Sequence, residues 1–492
     1  MKPTIRTITA FVVLRDDDFQ DGNEYELASF PKLEGKLEPI FQGLRTLESA
    51  YQKAGYTVQT LRIATNPFGE WLLETTKDDC FVLQKRLNAL DHLLSRHSIF
   101  ACAVGPAKTL HELSCCRQIV GSSTKFSCSF MIPNSNNVDC ARKAAETIYD
   151  ISKLHPKGLT NFQFCVAAKT CQPFIPFFPI AYSASDDHKS GDDDHGNSNK
   201  APVVRFAIGL ENGPFVKHLL QDSSIAQVDT LFRHGVQKAL LPIQNIAHSF
   251  ADITKSIGVQ RKSLMTEIEK LDSEFQKIIL GTVLENMYPN VAADLAKSGN
   301  ISFENTSNGN NPFHFQYIGM DTSVNPSLDE QDGSVAGALE CLAEVERFGG
   351  PGTMSAAAAI TRVLQSLEGI QRTGYCGLML PVCEDRRLAE LASQSSSFSS
   401  GPPLSIVHLL NISSVCGVGV DTVPIEGDSI SDHAKAISRL SSLLLDVVGL
   451  AERWNKPLTC RVFPVPGRKQ GETADFRDSP HLVNSRIFSL EY

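Results

Sequence analysis

The chain alternates between short apolar runs and longer amphipathic stretches. Between many of the runs, apolar positions recur at the three-to-four-residue spacing of a helix. The clearest examples follow Asp139 and extend from Asp432 to Trp454, where Pro457 lies just beyond the expected helix end. Ten runs have the β-branched and aromatic content of strands: 4–14, 56–64, 99–104, 126–132, 162–168, 203–210, 314–320, 375–382, 404–412 and 459–465.

This strand-then-helix rhythm predicts an α/β protein whose mainly parallel sheet is covered by helices. The length of 492 residues is compatible with two or three domains or with one large barrel that carries insertions. Ten strands suit a closed barrel better than an open sheet. Two polar stretches, 183–200 and about 300–312, interrupt the rhythm and are expected to be exposed loops. Asp and His residues in the first stretch are compatible with a divalent cation, but a solvated acidic loop is the favoured interpretation.

Composition excludes several classes of protein. Hydrophobic residues make up 42% and charged residues 21%, which is typical of globular proteins. No apolar stretch approaches the roughly 20 residues of a membrane span, and the net charge of −9 with no basic cluster argues against nucleic-acid binding. The amino-terminal residues lack the pattern of a secretory signal, so we expect a cytoplasmic protein with free thiols. The sequence leaves open whether the chain forms a homo-oligomer.

The most specific local motif is a glycine-rich loop before an alanine-rich helix. Gly349, Gly350 and Gly352 precede Thr353, where the helix is expected to begin. Free N–H groups at a helix N-terminus, together with the threonine hydroxyl, suit a phosphate or carboxylate, so the loop is a candidate anion site. The alternative is a tight connection in which Thr353 is an ordinary N-cap. The motif matches neither a P-loop nor a dinucleotide-binding loop.

Acidic residues follow several of the predicted strands. Asp421 and Asp428 lie in a glycine-containing segment after the run that ends near Ile412, while Asp321 and Glu384 follow two other runs. Because ligands of α/β proteins bind at the carboxyl ends of strands, we expect these four to be catalytic residues at one barrel mouth. Asp421 and Asp428 are also candidate ligands for Mg²⁺. The alternative is that each acid bonds to backbone in a turn or caps a helix.

Two arginines are candidate anion-binding residues. Arg62 lies at the end of one predicted strand and Arg461 lies in the last one. A guanidinium binds carboxylates and phosphates in a bidentate way. A structural ion pair for Arg62, and simple solvation for Arg461, are the alternatives.

At these residues the chain resembles an uncharacterised family, the domain of unknown function 711. The matching stretches together span nearly the whole chain: 5–9, 62–68, 139–142, 206–212, 348–353, 374–381, 421–428, 460–467 and 482–486. The polar loop 183–200 and a helical or loop segment at about 255–312 look like insertions into a shorter bacterial pattern. They suggest a eukaryotic version.

The resemblance implies a ten-stranded α/β barrel similar to those of pyruvate formate-lyase and ribonucleotide reductase, formed as one domain by residues 1–492. The chain departs from glycyl-radical enzymes, because the nearest match to their motif, at 372–375, is one residue short and far from the carboxyl terminus. The first functional hypothesis is therefore a non-radical enzyme of hydrolase or lyase type that acts on a small anionic metabolite, with a divalent cation such as Mg²⁺ as a candidate cofactor. The second is a catalytically silent ligand-binding or assembly protein that retains the barrel.

Overall fold

The computed structural model describes residues 2–20, 30–73, 80–185, 202–259, 274–289, 292, 313–328, 333–394, 401–427 and 432–491. The predicted acidic loop beyond residue 185, Asp428 and most of the segment 255–312 lie outside the described residues.

The α/β class predicted from the sequence is confirmed. Among the described residues, the α-helices of at least five residues are α1 (Pro31–Lys53), α2 (Cys80–Arg96), α3 (Leu110–Ser122), α4 (Val138–Ser152), α5 (Gly213–Leu220), α6 (Arg233–Val259), α7 (Glu274–Met287), α8 (Val335–Leu339), α9 (Thr353–Gln365), α10 (Arg386–Ser393), α11 (Ile406–Val415) and α12 (His433–Trp454). The main strands are β1 (Thr4–Val12), β2 (Val58–Thr65), β3 (Ala101–Ala107), β4 (Phe126–Ile132), β5 (Phe164–Ala168), β6 (Val203–Glu211), β7 (His314–Asp321), β8 (Gly419–Glu426) and β9 (Thr459–Val465).

Among the described residues, these nine strands form one sheet in the order β7-β6-β1-β2-β3-β4-β5-β9-β8. Strands β1 to β5 run parallel, as expected for strands joined through helices. The pairs β6–β7 and β8–β9 are each internally parallel but join the central strands in the antiparallel sense. The sheet is therefore mixed, with β7 and β8 at its two edges.

Two of the ten predicted strands are not regular strands. The apolar run 404–412 lies largely in helix α11, whose N-cap Ser405 forms a capping box with His408. A short apolar run does not distinguish a strand from a buried helix, which explains the error. The following segment, which we expected to be a loop, forms edge strand β8; its Pro424 is compatible with an edge position. Residues 375–382 adopt an irregular path that makes isolated bridges.

The irregular segment contacts both edge strands. Met320 at the end of β7 bridges Arg372, and Val324 just beyond β7 bridges Leu378. On the other side, Pro381 bridges Asp421 of β8. The structure thus brings the segment 372–381 between the two edges of the sheet.

The two faces of the sheet are packed differently. One face carries the large aliphatic core; Leu61 and Ile63 of β2, for example, belong to it. On the other face of β2 the alternate residue Ala64 belongs to a small cluster with Phe11 and Ala103, against which Phe174 packs. Because side chains alternate along a strand, Arg62 shares the face of Ala64 rather than that of the aliphatic core.

The described part of the chain contains no helix with the length and apolar composition required to cross a membrane.

Candidate functional site

A cavity of about 430 Å³ lies on this second face. It is lined near the beginning of β1 to β5, by Arg6, Thr60, Ala101, Ser127 and Cys165 among others. From β6, which runs the other way, the last residue Glu211 reaches it. This cavity therefore lies at the beginnings of β1 to β5, whereas the sequence predicts a site at the carboxyl ends of the strands.

Six charged residues of the cavity form what we call the arginine–carboxylate cluster: Arg6, Arg62, Glu211, Glu384, Asp421 and Arg461. Each comes from a different segment of the chain. The three guanidinium and three carboxylate groups balance formally, so the pairing between them decides which charge is available to a ligand.

Arg461 is the most strongly paired member of the cluster. Its Nε donates to Asp421 Oδ1 at 2.6 Å and its Nη2 donates to Asp421 Oδ2 at 3.0 Å, which is a bidentate ion pair. Nη2 also donates to Glu384 Oε1 at 2.9 Å. Burial alone would lower the pKa of Arg461, but Asp421 and Glu384 raise it above its ordinary value. Arg461 therefore stays positively charged and holds the carboxylates of Asp421 and Glu384 in place.

Arg6 forms a second set of pairs. It donates to Glu211, and its Nη2 lies 3.5 Å from Glu384 Oε2. Gln59 Nε2 donates to the other oxygen of Glu211 at 2.8 Å. Glu211 is thus held on both oxygens, while Glu384 lies between two arginines.

Glu384 is positioned by its neighbour in the sequence. Asp385 is fully buried and accepts hydrogen bonds from Ser334 Oγ at 2.5 Å and from the Val335 and Leu388 amides at 2.7 and 3.1 Å. It therefore ties the beginnings of α8 and α10 together. Burial raises the pKa of Glu384, an effect that Arg461 and Arg6 partly offset. A carboxyl group of this kind, in a cavity and with a raised pKa, is suited to proton transfer.

Arg62 differs from the other two arginines. Its Nε donates to Thr60 Oγ1 at 3.0 Å, and its guanidinium carbon lies 5.3 Å from the ring centroid of Phe100 and 5.1 Å from that of Phe178. No carboxylate oxygen of the described residues lies within ion-pair distance of it. Burial, together with the charges of Arg6 and Arg461, lowers the pKa of Arg62 to about 9. It remains protonated at neutral pH. Glu384 acts on it from beyond ion-pair distance and partly offsets the lowering, but no carboxylate of the described residues pairs directly with Arg62.

The structure thus brings Arg62, Glu384, Asp421 and Arg461 together in one cavity. Their proximity was expected for the two acids, but Asp421 lies in a strand and faces Arg461 rather than lying in a loop. Arg461 is buried, so the interpretation of it as a solvated surface cation is wrong.

Asp321 does not line this cavity. It is fully buried and accepts hydrogen bonds from the backbone amides of Ser323, Tyr375 and Cys376 at 2.9, 2.8 and 3.0 Å. Burial raises the pKa of Asp321, and these hydrogen bonds partly offset the effect. A Cβ on Gly374 would lie 2.2 Å from its Oδ2. Asp321 therefore holds the turn 373–377, which corrects its assignment to the barrel mouth.

The glycine loop does not line the cavity either. The amide of Gly349 donates to Thr353 Oγ1 at 3.0 Å, and the amides of Gly350 and Thr353 donate to Arg347 and Gly350 carbonyls at 3.0 and 3.3 Å. Gly352 has a φ of 89°, and a Cβ there would lie 2.0 Å from the Glu344 carbonyl oxygen. The amides of Gly349, Gly350 and Thr353 are bonded within the fold, and a tight connection accounts for the positive φ of Gly352; anion binding at the loop stays a prediction.

The donor set of Asp421 does not favour a metal ion. Both of its oxygens already bond to Arg461, and its predicted fellow ligand Asp428 lies outside the described residues. Within the ranges that the structure describes, no group of three His, Cys, Asp or Glu side chains is arranged to hold a metal ion.

Arg6 and Glu211 were not identified as site residues from the sequence. Each is a charged residue near the end of an otherwise largely apolar strand, and each lies in a stretch that carries the family resemblance. A charged residue at a strand end within such a stretch is the sequence feature that could have identified Arg6 and Glu211.

Comparison with known proteins agrees with this resemblance. A family model described as "Uncharacterised ACR (DUF711)" matches residues 1–479, and the chain belongs to this family. A UPF0210 protein of Pyrobaculum islandicum is 25% identical over 460 residues, which cover 90% of this chain and 82% of that relative. UPF0210 proteins of Pyrobaculum arsenaticum and Methanocaldococcus jannaschii are 33% and 29% identical, each over 32% of both chains.

Proposed function

We propose that the cavity binds a small anionic metabolite and that Arg62 is its principal charge partner. The observation that carries this proposal is the environment of Arg62, a cavity-lining guanidinium with two aromatic neighbours and no carboxylate within ion-pair distance among the described residues. A poorly solvated cation without a directly paired carboxylate costs free energy, and an anionic ligand that pairs with it lowers this cost. The cavity volume of about 430 Å³ is in the usual range for small-molecule sites.

The chemistry of the cavity favours a non-radical enzyme of lyase or hydrolase type. In this proposal Arg62 holds the anionic group of the substrate and Glu384 transfers a proton. Glu384 has the raised pKa that such a role requires, and Asp385 fixes its position. Arg461 and Asp421 keep the carboxyl group in place and do not themselves react.

The second candidate is a ligand-binding protein without catalysis. It is favoured by the pairing within the arginine–carboxylate cluster, because each of its three carboxylates is already bonded to an arginine. A proton-transfer group needs access to the substrate, whereas a purely structural ion-pair network does not.

We further propose that the sheet closes into a barrel through the segment 372–381. The bridges of Met320 with Arg372 and of Pro381 with Asp421 support this, since they join the segment to both edge strands. The cavity would then lie inside the barrel. The one-domain organisation and the likeness to the pyruvate formate-lyase barrel stay predictions.

Incubation of the protein with a metabolite extract, followed by untargeted mass spectrometry, tests the two candidates. The enzyme proposal expects one anionic metabolite to be consumed by the wild-type chain, retained but not consumed by Glu384→Gln, and neither bound nor consumed by Arg62→Gln. Capture without consumption by both the wild type and Glu384→Gln would instead support the binding protein. Equal behaviour of Arg62→Gln and wild type would contradict the anion site itself.

A further inference from the structure

The sheet floor of the cavity carries a hydroxyl group that the arginine–carboxylate cluster does not use. Ser127 on β4 lines the cavity and is 6% exposed. Its Oγ has no hydrogen-bond partner within the described part of the chain. A buried hydroxyl without a partner costs free energy, so a partner from a ligand would be favourable.

The strand register places this hydroxyl on the same side of the sheet as Arg62. Arg62 of β2 pairs with Ala101 of β3, and Ala103 of β3 pairs with Ser127 of β4. Residues two apart on a strand face the same side, so the four side chains share one face. The backbones of β2 and β4 are about 10 Å apart, and small alanine side chains occupy the strand between them.

The remaining wall of the cavity is largely apolar. Phe177, Phe178, Tyr375, Met379 and Val418 all line it. Such a wall favours a ligand whose anionic group is attached to an apolar body, because the body gains free energy when it leaves water. An inorganic ion uses only the charged part of the site.

We infer that the ligand is a small carboxylic acid with an apolar body and a second hydrogen-bonding group, and that Ser127 is the specificity-determining residue which receives this second group. The inference rests on the proposed anion site at Arg62. The carboxylate binds the free edge of the guanidinium, and the apolar body lies over Ala101 towards Ser127.

Calorimetric titration with benzoate, 3-hydroxybenzoate, 4-hydroxybenzoate and inorganic phosphate tests it. These probes share an anionic group, and the three acids differ only in the presence and position of a hydroxyl. We expect at least one hydroxybenzoate to bind the wild-type chain about five to ten times more tightly than benzoate, the factor that one neutral hydrogen bond provides. Ser127→Ala should abolish this difference and leave benzoate binding unchanged.

The chain offers a matched control two residues along the same strand. Ser129 is also buried and its Oγ also has no hydrogen-bond partner among the residues that the structure describes, but Ser129 does not line the cavity. Ser129→Ala should therefore retain the full preference for the hydroxylated acid. Because neither serine hydroxyl makes a hydrogen bond with another described residue, both variants should fold as the wild type does.

The outcomes separate the two proposals. If the hydroxybenzoates gain nothing over benzoate in the wild type, or if the gain survives in Ser127→Ala, the role of Ser127 is wrong. If phosphate binds in an Arg62-dependent manner but none of the acids does, the anion site stands and the inferred ligand class is wrong. If Arg62→Gln changes the binding of no probe, the proposed function fails as well.

Discussion

The glycine loop at 348–353 and the arginine–carboxylate cluster differ in how they are encoded in the sequence. The loop concentrates Gly349, Gly350 and Gly352 in one short stretch, and the structure uses that composition for a close packing of backbone. The cluster takes one charged residue from each of six separate segments. The glycine-rich motif, which is conspicuous in the sequence, serves the local backbone conformation. The charged groups of the cavity come from separate segments that the sheet brings together, and none of these segments is conspicuous in the sequence.

The substitution with the largest expected effect on stability disrupts the glycine loop and leaves the cavity intact. Gly352→Val should destabilise the protein by more than about 3 kcal/mol, because a β-branched residue would need a φ near 89° and its Cβ would overlap the Glu344 carbonyl oxygen. Urea unfolding measures the loss. Gly350→Ala is the control and should cost much less, since a Cβ there lies 3.1 Å from the Arg347 carbonyl oxygen and the φ is not positive. Equal stability of Gly352→Val and wild type would contradict the packing role.

The next effect concerns the bidentate pair in the cluster. Asp421→Asn should destabilise by about 3 kcal/mol, because it removes the principal counter-charge of buried Arg461. A melting curve alone therefore does not separate structure from function at this position. Asp150→Asn serves as the control, since Asp150 pairs with Lys153 at 3.1 Å on the surface and such pairs contribute less than about 1 kcal/mol. Similar losses in the two variants would show that the Asp421 pair is no stronger than a surface pair.

Glu384 makes stability depend on pH in a definite direction. Because burial raises its pKa, the fold favours the protonated form, and this contribution is fully present below the ordinary pKa of 4.5 and is lost as pH rises through the raised value. Glu384→Gln removes the ionisation, so the free energy of unfolding should fall less between pH 4.5 and 7 than it does in the wild type. Urea unfolding at several pH values measures both slopes. A steeper fall in the variant would mean that the two arginines lower the pKa instead.

The smallest expected effect on stability belongs to Arg62. Because burial and neighbouring cations lower its pKa, its charge disfavours the fold at neutral pH, and Arg62→Gln should change the free energy of unfolding by less than about 1 kcal/mol or increase it. Ligand affinity should nevertheless fall about 10- to 100-fold, the usual contribution of a hydrogen bond to a charged group. A strongly destabilised Arg62→Gln would indicate a structural role for Arg62.

The α/β class and eight of the strand positions could be predicted because their apolar runs are long and β-branched. The run 404–412 could not be assigned correctly, since a buried helix and a buried strand have the same short apolar pattern. Its misassignment displaced Asp421 from strand β8 into an expected loop.

The position of the site could be predicted only in part. A charged residue next to an apolar run was the sequence feature that identified four of the site residues: Arg62, Glu384, Asp421 and Arg461. The same signal selected Asp321, whose oxygens bond to backbone amides of a turn far along the chain. Strand direction at β6 and β9 depends on tertiary pairing, which no local pattern records; for that reason the end of the sheet at which the cavity lies was missed.

The central claim is that a small anion binds at Arg62, and native mass spectrometry tests it most directly. Wild-type protein, Arg62→Gln and the loop variant Gly350→Ala are each incubated with the same metabolite extract and measured under conditions that preserve complexes. We predict one bound small acid in the spectra of wild type and Gly350→Ala, and its loss in Arg62→Gln. Binding that survives in Arg62→Gln but disappears in Gly350→Ala would contradict the account and return the anion site to the glycine loop.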